Sequence, residues 1–359
     1  MTTRPGVGYL ILMLTNQCNL SCRYCYLGGE RLPQGDADVR QLSTADIDRA
    51  LALMDPRGGH VQISGGEPLL VPELVAHTAR RVRQMQGNVR LGLQTNGTCI
   101  TPEVISVIRD AGIQVGISLD GEPMVQDVQR GRARETFAGL RQLDAAAIPF
   151  NVTCVMTREN THLLHRLVLL LGSMSMARGL GLDLLVPKGN ALNDALLPPD
   201  HGQIRLGVAK LMESLDWVNE NRSHPIKIRE LEKIRQNHIP GGGIADFCQA
   251  VRGASLAVTP DGSLFPCSQT AYDPDFYLGQ LGDDMDRIMD AAKESNLCRI
   301  RLARSSGADC SRCILDGKCP GECPSRLYYS RYKAKPLACT FYQALADIEF
   351  SGKVPGSAL

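Results

Sequence analysis

The sequence predicts an α/β protein: a partial (β/α)6 barrel, then a cysteine-rich region with a small β-hairpin and short helices. Three observations predict it. Short β-rich runs alternate with segments of helical periodicity, as parallel strands with helical crossovers require. There are six such units, fewer than the eight of a closed barrel. Eleven of the 13 cysteines gather at two places, three near the amino terminus and eight from Cys248 to Cys339.

The strands are expected at residues 10–14, 60–64, 89–94, 115–119, 150–156 and 182–186. A helix starts at 43–46, with Ile47, Ala50, Leu51 and Met54 on one face. Residues 72–86 place Leu74, Val75, Thr78 and Val82 in register. Thr101 caps the next helix, with Pro102 at its first position. Residues 134–147 and 161–171 complete the set. The first four strands end in Thr15-Asn16-Gln17-Cys18, Ser64-Gly65-Gly66-Glu67-Pro68, Gln94-Thr95-Asn96-Gly97 and Ser118-Leu119-Asp120-Gly121. In parallel α/β architectures the carboxyl ends of the strands carry the site, so these tails converge on one mouth.

Residues 191–245 change character. Two proline and three glycine residues bracket polar helical stretches at 206–219 and 226–236, which read as a bridge between domains. Beyond Phe247, Thr259-Pro260-Asp261-Gly262-Ser263 reads as a hairpin turn between 256–258 and 264–265. The expected division is 1–190 for the barrel, 191–245 for the helical bridge, 246–345 for the cysteine-rich domain and 346–359 for a tail.

With 39 basic and 38 acidic residues in 359, the net charge of +1 gives no electrostatic footprint for nucleic acid or an anionic membrane. The apolar run at 9–14 is too short to span a bilayer. A reducing, cytoplasmic compartment is the expectation, and there clustered cysteines bind metal or do chemistry. Cys99 and Cys154 lie alone in apolar stretches and read as packing residues.

Cys18-x3-Cys22-x2-Cys25 puts three thiols on one short loop. Thiolates select iron–sulfur clusters, zinc or copper(I). Structural zinc takes four protein ligands, and the nearest histidine is His60. Three ligands suit a [4Fe–4S] cluster with one open iron; a zinc loop completed by a distant residue is the alternative.

Cys18-Asn19-Leu20-Ser21-Cys22-Arg23-Tyr24-Cys25, placed after a first strand, resembles the motif of the radical S-adenosylmethionine (SAM) superfamily. Gly65-Gly66-Glu67-Pro68 looks like that family's segment for the methionyl amino group. There glycine admits close backbone approach, and Glu67 would fix the supporting backbone. The tails holding Gln94 and Asn96, and Ser118 and Asp120, look like the family's third- and fourth-strand segments. The resemblance places Ser118 and Asp120 near the SAM ribose or carboxylate. Arg130, in an Asp127-x2-Arg130 pair also found in relatives, would meet a carboxylate. It implies a TIM-like partial barrel in which the open iron chelates SAM. The reduced cluster cleaves SAM to a 5′-deoxyadenosyl radical, which abstracts a hydrogen atom from substrate.

The later cysteines resemble the SPASM domain, which carries two auxiliary [4Fe–4S] clusters. The resemblance implies Cys310, Cys313, Cys319 and Cys339 for the distal cluster and Cys248, Cys267 and Cys323 for the proximal one. Asp246 or an open iron would complete the proximal set. A ribbon-like zinc site of Cys310, Cys313, Cys319 and Cys323 is the alternative. Cys298 lies outside the pattern and reads as a structural or free thiol, with a spare ligand as the alternative.

SPASM relatives mostly modify peptides or proteins. The resemblance therefore implies a peptide or protein substrate, an electron donor such as flavodoxin or ferredoxin, and a separate leader-recognition protein where a leader is needed. The leading expectation is a maturase that cross-links a ribosomally made peptide. Formylglycine formation in sulfatases is the runner-up. Its enzymes carry an Asp just after the second SPASM cysteine, where this chain has Ser268. An iron–sulfur carrier or redox sensor is the non-enzymatic alternative, and it would have no need of Gly65-Gly66-Glu67. Three clusters predict about twelve iron atoms per chain after anaerobic reconstitution; about four would refute the auxiliary pair.

Overall fold

A computed structural model of the chain describes residues 6–33, 36–193, 196–241, 243, 248–299, 310, 313–330 and 336–351. Ten strands run in chain order as β1 Tyr9–Met13, β2 Gly58–Ser64, β3 Asn88–Thr95, β4 Gln114–Ser118, β5 Phe150–Met156, β6 Ala177–Leu184, β7 Lys227–Ile228, β8 Ser255–Val258, β9 Ser263–Phe265 and β10 Gly279–Gln280. They form one sheet of order β10-β9-β8-β1-β2-β3-β4-β5-β6-β7. From β8 to β7 every pair is parallel, while β9 and β10 are antiparallel additions. This is an open α/β barrel, as the sequence predicts.

The crossover helices are α1 Thr44–Leu51, α2 Pro72–Gln84, α3 Pro102–Ala111, α4 Pro123–Gln129, α5 Ala133–Ala145 and α6 Leu164–Gly172. Local chemistry fixes their ends. Ser43 and Asp46 form a capping box on α1. Thr101 Oγ1 accepts from Val104 N at 3.3 Å to cap α3, and Gly112 closes it at φ +62°. Beyond the barrel lie α7 His201–Glu220, α8 Arg229–Asn237, α9 Met285–Glu294, α10 Pro324–Ser330 and α11 Leu337–Ser351.

Side chains alternate across the barrel strands. Leu10, Leu12, Val61, Ile63, Leu91, Leu93, Val115 and Ile117 enter the main core beneath the helices. The opposite face of the same strands carries His60, Gln62, Gly92, Gln94, Gly116, Asn151 and Gly179, which line a lumen. Ile11 and Met13 instead join Leu27, Ala257, Phe265, Phe276 and Leu297 in a second apolar cluster.

Three elements depart from the sequence reading. The sixth strand begins at Ala177 rather than at 182, because Arg178, Gly179 and Gly181 face the lumen and interrupt the apolar run. The helix expected over 226–236 opens with β7, which pairs with Gly179 and Leu180 of β6. The hairpin of the cysteine-rich region is not separate from the barrel. Its first strand, β8, pairs in parallel with β1, Tyr9 through Leu12 against Ser255 through Val258. The bridging helix α7 packs against α6 and α11. Buried residues of α11 also run past 345, through Ala346.

A shared sheet makes barrel and hairpin one cooperative unit. In hydrogen exchange on the full chain, the amides of β8 are expected to exchange as slowly as those of β1. A β8 that opens much faster than β1 would show the two regions to be independent.

Candidate functional site

The thiols of Cys18, Cys22 and Cys25 lie on the loop that leaves β1. Cys18 N–H donates to Leu32 O at 2.9 Å, and Cys25 N–H to Cys22 O at 3.2 Å. The segment after β6 clamps this loop. Asn190 donates from its backbone to Cys25 O at 2.9 Å and from Nδ2 to Cys22 O at 3.0 Å. Between them Gly189 sits at φ +62°, where a Cβ would lie 2.3 Å from Cys25 O. Only glycine fits that approach. Lys188 Nζ then donates to Gln269 O at 2.9 Å and Ala271 O at 2.7 Å, tying the clamp to the cysteine-rich region.

The β2 tail bends beside this loop. Gly65 has φ +133°, and a Cβ on Gly66 would meet Gln17 O at 2.1 Å. Glu67 is buried, with 1% of its surface exposed. Its carboxylate accepts from Leu69 N at 3.0 Å, Thr95 Oγ1 at 2.6 Å and Asn96 N at 2.7 Å. Burial nevertheless pushes its pKa up to about 7 against those donors. Asn96 Nδ2 donates to Asn19 Oδ1 at 2.8 Å, so the β3 tail holds the cysteine loop in turn. Asn19 also donates to Thr98 Oγ1 at 2.8 Å and to Cys99 Sγ at 3.5 Å. Cys99 thus borders a polar network as well as the core.

Asp120, at the β4 tail, is 1% exposed. Arg130 Nε donates to its Oδ2 at 2.9 Å, Val155 N to its Oδ1 at 2.9 Å, and the Tyr24 hydroxyl closes on Oδ2. Arg130 lies over the Tyr24 ring, 5.1 Å from its centroid.

A cavity of about 440 Å³ opens at the carboxyl ends of the strands. It brings together the three loop thiols, Gly65, Gly66, Glu67, Gln94, Asn96, Ser118 and Arg130. Asp120 is not in its wall; it stands behind Arg130 and Tyr24 and positions them. Gln94 Nε2 donates to Ser118 Oγ at 2.9 Å, joining two of the wall residues. The sequence reading missed Tyr24, Arg31, Asp183, Arg229 and Gln269, which also line the cavity. Tyr24, inside the cysteine motif, carried a signal. Asp183 and Arg229 carried none, because they meet only through the β6–β7 pairing.

The later thiols fall into two groups. Cys248, Cys267 and Cys323 wall a cavity of about 140 Å³ together with Ser268, Gln269, Arg326 and Tyr342. Cys319 interacts electrostatically with Cys339, Cys313 and Cys310. Donors already aim at two sulfurs of that second group: Gly321 N–H points at Cys319 Sγ at 3.4 Å, and Gln343 Nε2 at Cys313 Sγ at 3.3 Å. Cys154 and Cys298 are buried; the Cys154 thiol donates to Asp120 O at 3.6 Å and the Cys298 thiol meets the carbonyls of Ala250 and Ala292 at 3.5 Å. Asp246 lies outside the described residues.

The donor sets fit soft metal groups. Tyr342 is buried, and its hydroxyl, in a cavity walled by three thiols, has no hydrogen-bond partner among the described residues. That orphan marks room for a polar group. Among the described residues, no three Cys, His, Asp or Glu side chains converge tightly enough to hold a metal ion as placed. Burial pushes the thiol pKa values up to about 12 for Cys18 and Cys323 and about 11 for Cys22 and Cys267. These four thiols are therefore protonated at neutral pH in the metal-free protein, and a cation must displace their protons.

Residues 12–171 match the Radical SAM superfamily. The chain is 28% identical to a serine-type anaerobic sulfatase-maturating enzyme of Klebsiella aerogenes over 344 residues, covering 90% of this chain and 82% of that one. It superposes on native anSMEcpe with bound AdoMet at TM-score 0.76 and 19% identity, covering 96% and 97% of the two chains. Streptococcus suis SuiB bound to precursor peptide SuiA gives TM-score 0.63 at 14% identity, covering 92% and 74%. The last two are likenesses of fold.

Two outcomes follow from the geometry. Glu67→Gln supplies only one acceptor oxygen and strands a buried donor, so it should cost about 1–3 kcal/mol in denaturant unfolding; an unchanged midpoint would contradict the network. Metal uptake must release thiol protons. Cobalt(II) affinity of the metal-free protein, read from its thiolate charge-transfer band, should therefore rise with each step in pH from 6.5 to 8.5. A flat profile would mean the thiols are already ionised.

Proposed function

From the premise that this chain carries a radical SAM domain over residues 12–171, we propose that it is a SPASM-type maturase that oxidatively cross-links a side chain within a peptide. The observation that carries this reading is the shared wall of the 440 Å³ cavity. It joins the Cys18–Cys25 loop on one side to Ser268 and Gln269, beside Cys267, on the other. A carrier or sensor has no use for a cavity of that size between two thiol groups.

In this reading Cys18, Cys22 and Cys25 hold a [4Fe–4S] cluster, and Gly65, Gly66, Glu67, Gln94, Asn96, Ser118 and Arg130 hold SAM. Cys248, Cys267 and Cys323 hold a proximal auxiliary cluster, and Cys310, Cys313, Cys319 and Cys339 a distal one. When bound, these groups supply hydrogen-atom abstraction and an acceptor for the substrate's electron.

The protein's own residues do the rest. The Gly65-Gly66 bend exposes backbone to the ligand, and Glu67 holds that bend by its three accepted hydrogen bonds. Asp120 fixes the Arg130 guanidinium at the wall. A new bond within the substrate also releases a proton, and two carboxylates line the cavity, Glu67 and Asp183. Glu67 is committed to its three donors. Asp183 accepts from Arg229 through Oδ1 at 2.6 Å, leaving Oδ2 to receive the proton.

The sulfatase-maturating pattern has an Asp where this chain has Ser268, and that departure weighs toward cross-linking. The similarity to the sulfatase-maturating enzymes keeps formylglycine as the second reading.

Anaerobic incubation with dithionite and SAM should yield 5′-deoxyadenosine, and a Cys18→Ala variant should not. No excess over that variant would end the enzymatic reading. With a peptide substrate in hand, a product two mass units lighter with no carbonyl supports the cross-link, whereas an aldehyde that reacts with hydrazine supports formylglycine. Asp183→Asn should lower turnover to product about 100-fold or more while 5′-deoxyadenosine still forms. Equal loss of both would make Asp183 structural.

A further inference from the structure

Beneath the cavity described above lies a second space of about 740 Å³, toward the amino ends of the strands. Gln62, Gln94, Thr153 and Arg229 line both spaces, so the two adjoin across these side chains. At its far end Gln114, His224, Pro225 and Lys227 are exposed, so this lower lumen opens to solvent there.

The sequence keeps this space hollow. Barrel interiors are ordinarily filled by layers of branched apolar side chains. Here long polar side chains lie over glycines of the neighbouring strand. A Cβ on Gly92 would come within 2.7 Å of Gln62 Oε1, on Gly116 within 2.5 Å of Gln94 Oε1, and on Gly179 within 2.6 Å of Asn151 Oδ1. On Gly181 it would come within 2.7 Å of the Arg229 guanidinium.

The space is also one-signed. Arg178, Lys227 and Arg229 line it, with His60 and His224, and among the described lining residues there is no Asp or Glu. The counter-charges lie elsewhere. Arg229 bonds Asp183 and Glu230, of which Asp183 faces the upper cavity. Lys227 Nζ is 3.9 Å from Glu232, a partly exposed residue of α8. Arg178 donates to the carbonyls of Ser175 and Ala177. A cleft lined by one sign of charge between low-dielectric walls concentrates the opposite sign.

We propose that the lower lumen docks an acidic segment of the peptide substrate, entering at the amino ends of the strands. Its Asp and Glu side chains meet Arg178 and Lys227. The carboxamides of Gln114 and Asn151 both donate and accept, as an extended main chain requires. The volume is toward the upper end of the roughly 300–1,000 Å³ usual for ligand sites, which favours a peptide over a small anion. The segment then positions the residue to be modified beneath the upper mouth. The inference rests on the peptide-modifying reading for its purpose, but its binding step can be measured alone.

The test uses the full chain, reconstituted anaerobically and with SAM bound. Two fluorescein-labelled hexapeptides, (Glu-Gly)3 and (Gln-Gly)3, are titrated by fluorescence anisotropy. The glutamyl peptide should bind about tenfold tighter or better, which is about 1.4 kcal/mol, and should weaken with salt. The Arg178→Glu/Lys227→Glu variant should lose that preference while binding SAM normally and keeping its circular dichroism. Equal affinity for the two peptides, or a preference untouched by the double variant, would overturn the proposal. Full displacement by millimolar free glutamate would also overturn it, leaving a small-anion site only. Retained binding without any modified product would count against the catalytic reading alone, and a modified product without glutamyl preference against this proposal alone.

Discussion

One buried carboxylate holds the site together. Glu67 takes three donors from β2 and β3, and its own N–H donates to Gln17 O at 2.8 Å on the loop after β1. Three strand tails are therefore fastened at a single residue. The bend at Gly65-Gly66, the amide of Asn96 and, through Asn19, the cysteine loop all take their positions from it. Such a group is costly to bury, and its three accepted hydrogen bonds offset that cost.

The second constraint is the sheet itself. Because β8 pairs with β1, the first barrel strand has no free edge, and the thiol of Cys267 follows directly on the hairpin that β8 begins. The amino-terminal and carboxyl-terminal thiol groups are thereby held on one rigid frame across a shared cavity. Lys188 adds a second tie by bonding two carbonyls next to Cys267. Tethering by main-chain pairing gives a fixed separation that two domains joined by a linker would not.

Much of this was legible in the residues. The caps at Ser43 and Thr101 and the hairpin turn at 259–263 are local, and local chemistry decided them. The cysteine spacing is read directly. The sixth strand was misplaced because apolar runs mark strands buried on both faces, and this sheet has one polar face. The alternation in His60-Val61-Gln62-Ile63-Ser64 and in Arg178-Gly179-Leu180-Gly181-Leu182-Asp183 is the visible trace of that face. Asp183, Lys188 and Arg229 were invisible for another reason. Their roles depend on pairings between segments far apart in sequence, and no periodicity reports those. Asp120 illustrates the limit from the other side: its place in the fourth-strand tail is legible in the sequence, but only the fold shows that it braces Arg130 and stands outside the cavity wall.

The polar face is also what keeps the lumen open. Long polar side chains alternate there with glycines, in place of the branched apolar layers that fill an ordinary barrel. The glycines are the stricter half of that solution, because Gln62, Gln94, Asn151 and Arg229 can extend only where the next strand lacks a Cβ. Hollowness and polarity are thus one feature: each long side chain in the lumen needs the glycine it lies over. The same pairing leaves two adjoining spaces along the strands, with Arg229 of the Asp183–Arg229 pair in the wall of both.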